Sequence, residues 1–164
     1  MTIFVKNKHT LQIDEFKFKC CIGKKGSTNN KKEGDTKTPK GTFEIENLYF
    51  RKDRKKKPIT PLKCIQIKSN MGWCDDIYFP KKYNKLIKIN KKVKHEKLRR
   101  KDHKYDFLIP IKYNFKKPVT GLGSCIFIHL TKNYKATAGC IAISKKDFLI
   151  LCKVLEKNSQ IIIN

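Results

Sequence analysis

The sequence predicts a mainly β domain, a sandwich or irregular barrel carrying one helix towards its C-terminal side. Three observations lead there. Short apolar runs, several alternating with period two, recur along the chain between polar connections rich in Gly, Asn, Lys and Pro. Only the stretch after Ser144 shows helical spacing, with Phe148, Leu151, Cys152 and Leu155 on one face. At 164 residues the chain can bury a core without staples, so residues 1–164 are read as one domain.

Taken in order, Ile3–Val5 and Thr10–Ile13 form a hairpin around Asn7-Lys8-His9. In Phe16–Ile22 the residues Phe16, Phe18, Cys20 and Ile22 point inward and Lys17 and Lys19 outward. Gly23–Gly41 is a long polar loop, and such a loop in a compact domain is usually functional or disordered. Thr38-Pro39 holds the backbone extended, and a strand follows from Gly41 to about Phe50. Arg51–Lys57 reads as a solvated basic turn, and Leu62–Ile67 as another strand.

Gly72–Asp76 holds the only tryptophan. A core plug is the default for Trp73, but the neighbouring carboxylates favour a pocket wall facing a polar ligand. Asp75 and Asp76 point to opposite sides of an extended chain, and Asp76 is preferred. Lys81–Arg100 is strongly basic, with a short helix expected near His95–Arg100 and Glu96 paired with a neighbouring lysine. Tyr105–Lys112 is a strand that Pro110 assigns to an edge or a bulge. Ser144 and Asp147 form a capping box, Asn158 stops the helix, and Gln160–Ile163 is the last strand.

Thirty-nine basic against fourteen acidic residues give a formal charge of +25. Such a field attracts anionic polymers. The lysines are spread evenly, without a basic tail or a basic–aromatic pattern, so the charge is read as mostly compositional, with some use for a carboxylate-rich substrate. A basic nucleic-acid-binding module is the reading from another class; it would bind with steep salt dependence and tolerate Cys140→Ala. No recognisable binding motif supports it, and no specific nucleic acid is expected as a partner. The seven cysteines include no C-x-x-C pair, so neither a zinc site nor a disulfide framework is indicated. The first residues break off after three apolar positions, too short for a signal-peptide core or a membrane span.

The chemistry concentrates between Ser124 and Ser144. In Ser124–His129, alternation puts Ser124, Ile126 and Ile128 on one face of a strand and Cys125, Phe127 and His129 on the other. After the loop Leu130–Ala138, Gly139 permits a sharp turn, and Cys140 leads into the apolar run Ile141–Ile143. Neighbouring strands would bring the Cys140 sulfur within reach of the His129 ring, as a thiol nucleophile requires. The plain alternative is packing, since free cysteine is among the most buried residue types.

H-L-T-K-N-Y-K-A-T-A-G-C-I-A-I, from His129 to Ile143, resembles the active-site signature of the L,D-transpeptidase catalytic domain. Gly23–Gly26 with K-K-E-G-D-T-K-T-P-K-G-T-F at 31–43 is similar to the family's early signature. G-W-C-D-D at 72–76, Tyr83-Asn84, H-E-K-L at 95–98, D-H-K-Y-D at 102–106 and G-L-G-S-C-I-F-I-H at 121–129 resemble one branch of it. The similarity covers nearly the whole chain.

What the resemblance implies is a β fold and acyl transfer on peptidoglycan stem peptides through a Cys140 thioester. His129 would be the acid and base, and backbone N–H groups around Gly139 and Cys140 would face the oxyanion. A backbone carbonyl or Ser124 would orient the other nitrogen of His129. Trp73, Asp76, Glu96, Tyr105 and Ser124 are the expected substrate-binding positions. No cofactor and no metal are expected, and the protein is expected to be a monomer of the periplasm or cell envelope. Hydrolysis of the same acyl-enzyme, an L,D-carboxypeptidase outcome, is the close alternative. Papain-like peptidases place the cysteine before the histidine, the reverse of the order here. One departure stands out: Ala142 occupies a position where better-studied branches carry arginine. Lys37 is a candidate substitute, and weak discrimination among stem-peptide lengths is expected.

Overall fold

The computed structural model describes residues Met1–Asn164. The hairpin of β1 (Thr2–Val5) and β2 (Thr10–Ile13) sets Ile3 opposite Ile13, and β3 (Phe16–Cys21) extends the meander. Phe18, Cys20 and Ile22 are buried as the alternation predicts, but Phe16 is 41% exposed. It pairs with Ile13 at the turn end of the β2–β3 hairpin, and its ring stacks on Phe18. Within the long loop, β4 (Ser27–Thr28) and β5 (Thr38–Pro39) form a small parallel pair.

The strand expected from Gly41 to Phe50 is two strands, β6 (Gly41–Glu44) and β7 (Leu48–Phe50). Then follow β8 (Cys64–Gln66), β9 (Met71–Cys74), β10 (Leu86–Lys88), β11 (His95–Lys97) and β12 (Phe107–Pro110). The chain closes with β13 (Phe127–Leu130), β14 (Ile141–Ile143), α1 (Lys145–Val154) and β15 (Gln160–Ile163).

One ten-stranded sheet runs β6-β15-β1-β2-β3-β14-β13-β12-β7-β8. Only Ile45, Glu46 and Asn47 join β6 at one edge to β7 near the other, so the sheet must curl until its ends meet there. Ile45 bridges to Ile111, and the Lys112 N–H donates to the Glu44 carbonyl at 2.8 Å. Curling encloses the main core, which includes Ile109, Ile128, Ile141 and Ile143 from the central strands. Phe148, Leu151, Cys152 and Leu155 of the helical segment join that core. The helix begins as expected, with the Asp147 N–H donating to the Ser144 hydroxyl at 3.1 Å. It ends at an extended Leu155, earlier than Asn158.

Alternation on the same strands points Tyr49, Leu108 and Phe127 outward, into a second core with Trp73, Leu98 and Tyr105. The small sheet β10-β9-β11 supplies Trp73 to this layer. The helix expected near His95–Arg100 is therefore a strand. Its residues favour helix locally, but pairing of His95 with Cys74 and Lys97 with Gly72 outweighs that preference. Pro110 ends an interior strand rather than marking an edge. It lies beyond the β7 pairing, which stops at Leu108, so its missing N–H breaks no ladder bond on that side. The basic turn is pinned rather than merely solvated: buried Arg51 makes a forked pair with Asp53, and Arg54 and Lys55 reach Asp106. All seven cysteines are free. No helix is long and apolar enough to cross a membrane.

Candidate active site

Parallel pairing of β13 and β14 sets His129 opposite Ala142 and Ile128 opposite Ile141. One step before β14, Cys140 lies beside Phe127, whose N–H points to the sulfur at 3.4 Å. Since Ile128 and Ile141 enter the main core, Phe127, His129, Cys140 and Ala142 share the opposite face. There His129, Cys140 and Ala142 line a cleft of about 420 Å³. Cys140 and His129 are thus diagonal neighbours on a rigid support and share the cleft, but no hydrogen bond joins them: the Cys140 sulfur turns to the Cys125 carbonyl.

The expected alternation of Ser124–His129 holds only in its later part: Cys125 adopts φ 56°, the strand begins at Phe127, and Ser124, expected on the face of Ile128, lines the cleft with His129. Asn84 causes this. Its Oδ1 accepts the Cys125 N–H at 3.1 Å and the Trp73 indole N–H at 2.9 Å. Its amide donates to the carbonyls of Tyr113 and Asn114. This buried side chain is fully satisfied and holds the start of β13 against the small sheet.

The His129 ring is oriented by a backbone carbonyl, that of Leu130 at 2.8 Å from Nδ1, and not by Ser124. A carbonyl only accepts, so Nδ1 carries the proton and Nε2 is left as an acceptor. Burial pulls the imidazole down to about 4. Burial, with Glu96 nearby, pushes the Cys140 thiol up to about 12, and its S–H donates to the Cys125 carbonyl at 3.0 Å. The resting pair is therefore a neutral thiol and a neutral imidazole. A consequence is measurable: iodoacetamide labelling of Cys140 should accelerate steadily from pH 7 to pH 10, about tenfold per unit, because the thiolate fraction is still rising. A plateau near neutrality would instead reveal a preformed thiolate.

Gly139 is required at its position by both backbone and space. Its φ is +145°, and a Cβ there would stand 2.9 Å from the Lys37 carbonyl oxygen. The Thr38 hydroxyl donates to the Gly139 carbonyl at 2.8 Å and accepts from the Gly23 N–H at 2.9 Å. The Thr137 hydroxyl, which donates to the Cys140 carbonyl, accepts the Gly139 N–H at 3.1 Å. Of the two N–H groups expected to face an oxyanion, Gly139's is thus occupied, whereas that of Cys140 has no protein partner.

The other expected positions divide. Glu96, Tyr105 and Ser124 line the cleft, whereas Trp73 and Asp76 do not. Trp73 is 2% exposed and packs edge-on against Phe127 and Tyr49, the core plug rather than a pocket wall. Asp76 accepts the N–H groups of Tyr78 and Lys94 and shapes its turn. Its neighbour Asp75 is the carboxylate in the cleft, with Oδ1 buried and unpartnered. Extended geometry does send the two carboxylates apart, but the side that faced the cleft depended on the β9 pairing. Tyr105 sets its ring against His129, centroids 5.2 Å apart, and donates its hydroxyl to Glu96. Burial raises the Glu96 carboxyl above its usual range despite that bond. Arg100, not a lysine, is its cationic neighbour, at 3.8 Å.

Several contributors went unassigned in the sequence. Glu33 lines the cleft and accepts from the hydroxyls of Tyr83 and Ser124. The long loop was the available signal, and it forms one wall of the cleft through Lys31, Glu33 and Thr36. Lys37 is not in that lining and meets Gly139 through its backbone. Arg100, Lys104, Lys132 and Lys135 line the cleft as well. No cluster of three His, Cys, Asp or Glu side chains forms with metal-holding geometry.

Fold and site together define a curled, mainly β domain whose cleft presents a thiol and an imidazole from adjacent parallel strands. The chain belongs to the L,D-transpeptidase catalytic domain (YkuD) family, whose pattern matches residues 1–163. Membership implies a peptidoglycan-modifying enzyme. No curated protein and no solved structure matches the chain significantly.

Proposed function

We propose that the protein is an L,D-transpeptidase, transferring an acyl group from a peptidoglycan stem peptide through a thioester on Cys140. The observation that carries this reading is the shared cleft face of Cys140 and His129, with Nδ1 held by a carbonyl and Nε2 left to accept a proton. His129 takes the thiol proton as Sγ bonds to the carbonyl carbon of the third, L-centre residue. The carbonyl oxygen becomes an oxyanion, with the Cys140 N–H as donor; such a donor is worth about 3 kcal/mol. The Phe127 N–H beside the sulfur favours the thiolate as it forms. Collapse breaks the C–N bond, and His129 returns the proton to the departing D-alanine amine. An amine then attacks the thioester and regenerates the thiol.

Attack by water instead would make the enzyme an L,D-carboxypeptidase, with the same residues in the same roles. The substrate meets Glu96, Tyr105 and Ser124 in the cleft, and the enzyme works in the cell envelope on the wall polymer. The test is incubation of purified protein with disaccharide tetrapeptide and pentapeptide, products separated by mass. D-alanine release with a cross-linked dimer supports transfer, and release with free tripeptide supports hydrolysis. No release from either substrate refutes the peptidoglycan reading even if Cys140 proves reactive.

A further inference from the structure

Arg100, in the connection after β11, projects a guanidinium into the cleft and takes no part in the Cys140–His129 pair. Its Nε and Nη2 donate to the two oxygens of Asp102 at 2.9 and 2.8 Å. A guanidinium has five N–H donors, so this pair occupies one forked edge and leaves the Nη1–Nη2 edge unspent. Glu96 does not use it: its oxygen lies 3.8 Å from Nη1, beyond hydrogen-bond reach, and already accepts from the Tyr105 hydroxyl.

Position adds to chemistry. The guanidinium carbon stands 5.1 Å from the Tyr105 ring centroid, and that ring in turn meets His129 at 5.2 Å. Opposite His129, β14 offers only the methyl group of Ala142. Of the lysines in the cleft lining, Lys31 is already spent on Asp35 and the Lys32 carbonyl and the others are compact charges on flexible stems, whereas Arg100 is held by Asp102 and by the ring beneath it.

We infer that Arg100 binds the free C-terminal carboxylate of the donor peptide, in a forked pair on its Nη1–Nη2 edge. This rests on the acyl-transfer reading above. The Tyr105 ring acts as the spacer between the group that protonates the leaving amine and the group that holds the carboxylate. That spacing, at most about 10 Å, suits a carboxylate one residue beyond the scissile bond, since a residue spans about 3.5 Å and a hydrogen bond at each end adds about 3 Å. The enzyme therefore selects a tetrapeptide donor with a free terminus, and the weak length discrimination expected from mobile lysines gives way to a marked preference.

The experiment compares disaccharide tetrapeptide with its C-terminal carboxamide, which has the same shape and no charge, following release of D-alanine or D-alaninamide. Wild type should lose about tenfold or more in kcat/KM on the amide. Arg100→Gln and Arg100→Lys should lose most of that ratio by slowing the acid while leaving the amide rate near the wild-type value. A purely structural arginine would slow both substrates alike. Equal turnover of acid and amide by wild type overturns this inference alone, and that comparison needs no variant to fold. A variant that keeps the full acid preference overturns it as well. Release from neither substrate by wild type overturns the inference together with the function on which it rests.

Discussion

Cys140→Ala is expected to abolish covalent capture and turnover, by roughly 10⁴-fold or more, because the proposed mechanism carries the thioester on this sulfur alone. Incubated with a carbapenem, the wild-type protein should gain the mass of one inhibitor and the variant none. Cys125 is the informative control. It lines the same cleft and its carbonyl holds the Cys140 S–H, but burial raises its own thiol well above the usual range and its sulfur points to the Trp73 carbonyl. Cys125→Ala should therefore still be acylated. His129→Gln should keep the fold and lose about 10³-fold in acylation rate, since it removes the acceptor for the thiol proton. An adduct that survives Cys140→Ala, or that maps to Cys125, would sink the assignment.

Gly23→Ala should produce the largest loss from a residue that never touches the nucleophile. A Cβ at this position would lie 2.5 Å from the Thr36 carbonyl oxygen and 2.9 Å from the backbone of Lys37 and Thr38. These are backbone atoms and cannot swing aside. They are also the atoms on which the site rests, because the Lys37 carbonyl abuts Gly139 and the Thr38 hydroxyl holds the Gly139 carbonyl. The expected cost is about 3 kcal/mol, or roughly 10 °C in melting temperature, with slower carbapenem acylation. Gly121→Ala is the comparison: φ is +85° there but no neighbour lies within 4 Å, so only backbone strain of about 1 kcal/mol applies. Equal melting shifts in the two variants would show that the close contacts at Gly23 relax freely.

Much of this was legible in the chain. The period-two runs that specify Ile128 and Ile141 for the core send Phe127 and Cys140 to the other side, and that face carries the cleft. The order of His129 and Cys140 around a glycine singled out two residues that the structure places in one cleft. What stayed hidden depended on partners distant in sequence. His95–Lys97 carries residues of good helix propensity and becomes a strand because β9 offers it a ladder. Trp73 and Asp76 sit in a string that looks like a pocket wall, yet Trp73 packs into the second core and Asp76 accepts backbone N–H groups from its own turn and from Lys94. Arg100 was indistinguishable from its basic neighbours until Asp102 and Tyr105 were seen to hold it.

The sequence by itself determined the fold class, the single helix and its cap, and the face that His129 shares with Cys140. These follow from local spacing, which sets the face a side chain occupies wherever the backbone is regular. The tertiary structure alone decided that the sheet closes through Ile45 and Ile111, that Asp75 and not Asp76 enters the cleft, and that a carbonyl orients His129. Each of these depends on which distant strand supplies the hydrogen-bond partner or the covering side chain. Spacing along one strand contains no record of that choice, because pairing energy arises only when the two strands meet.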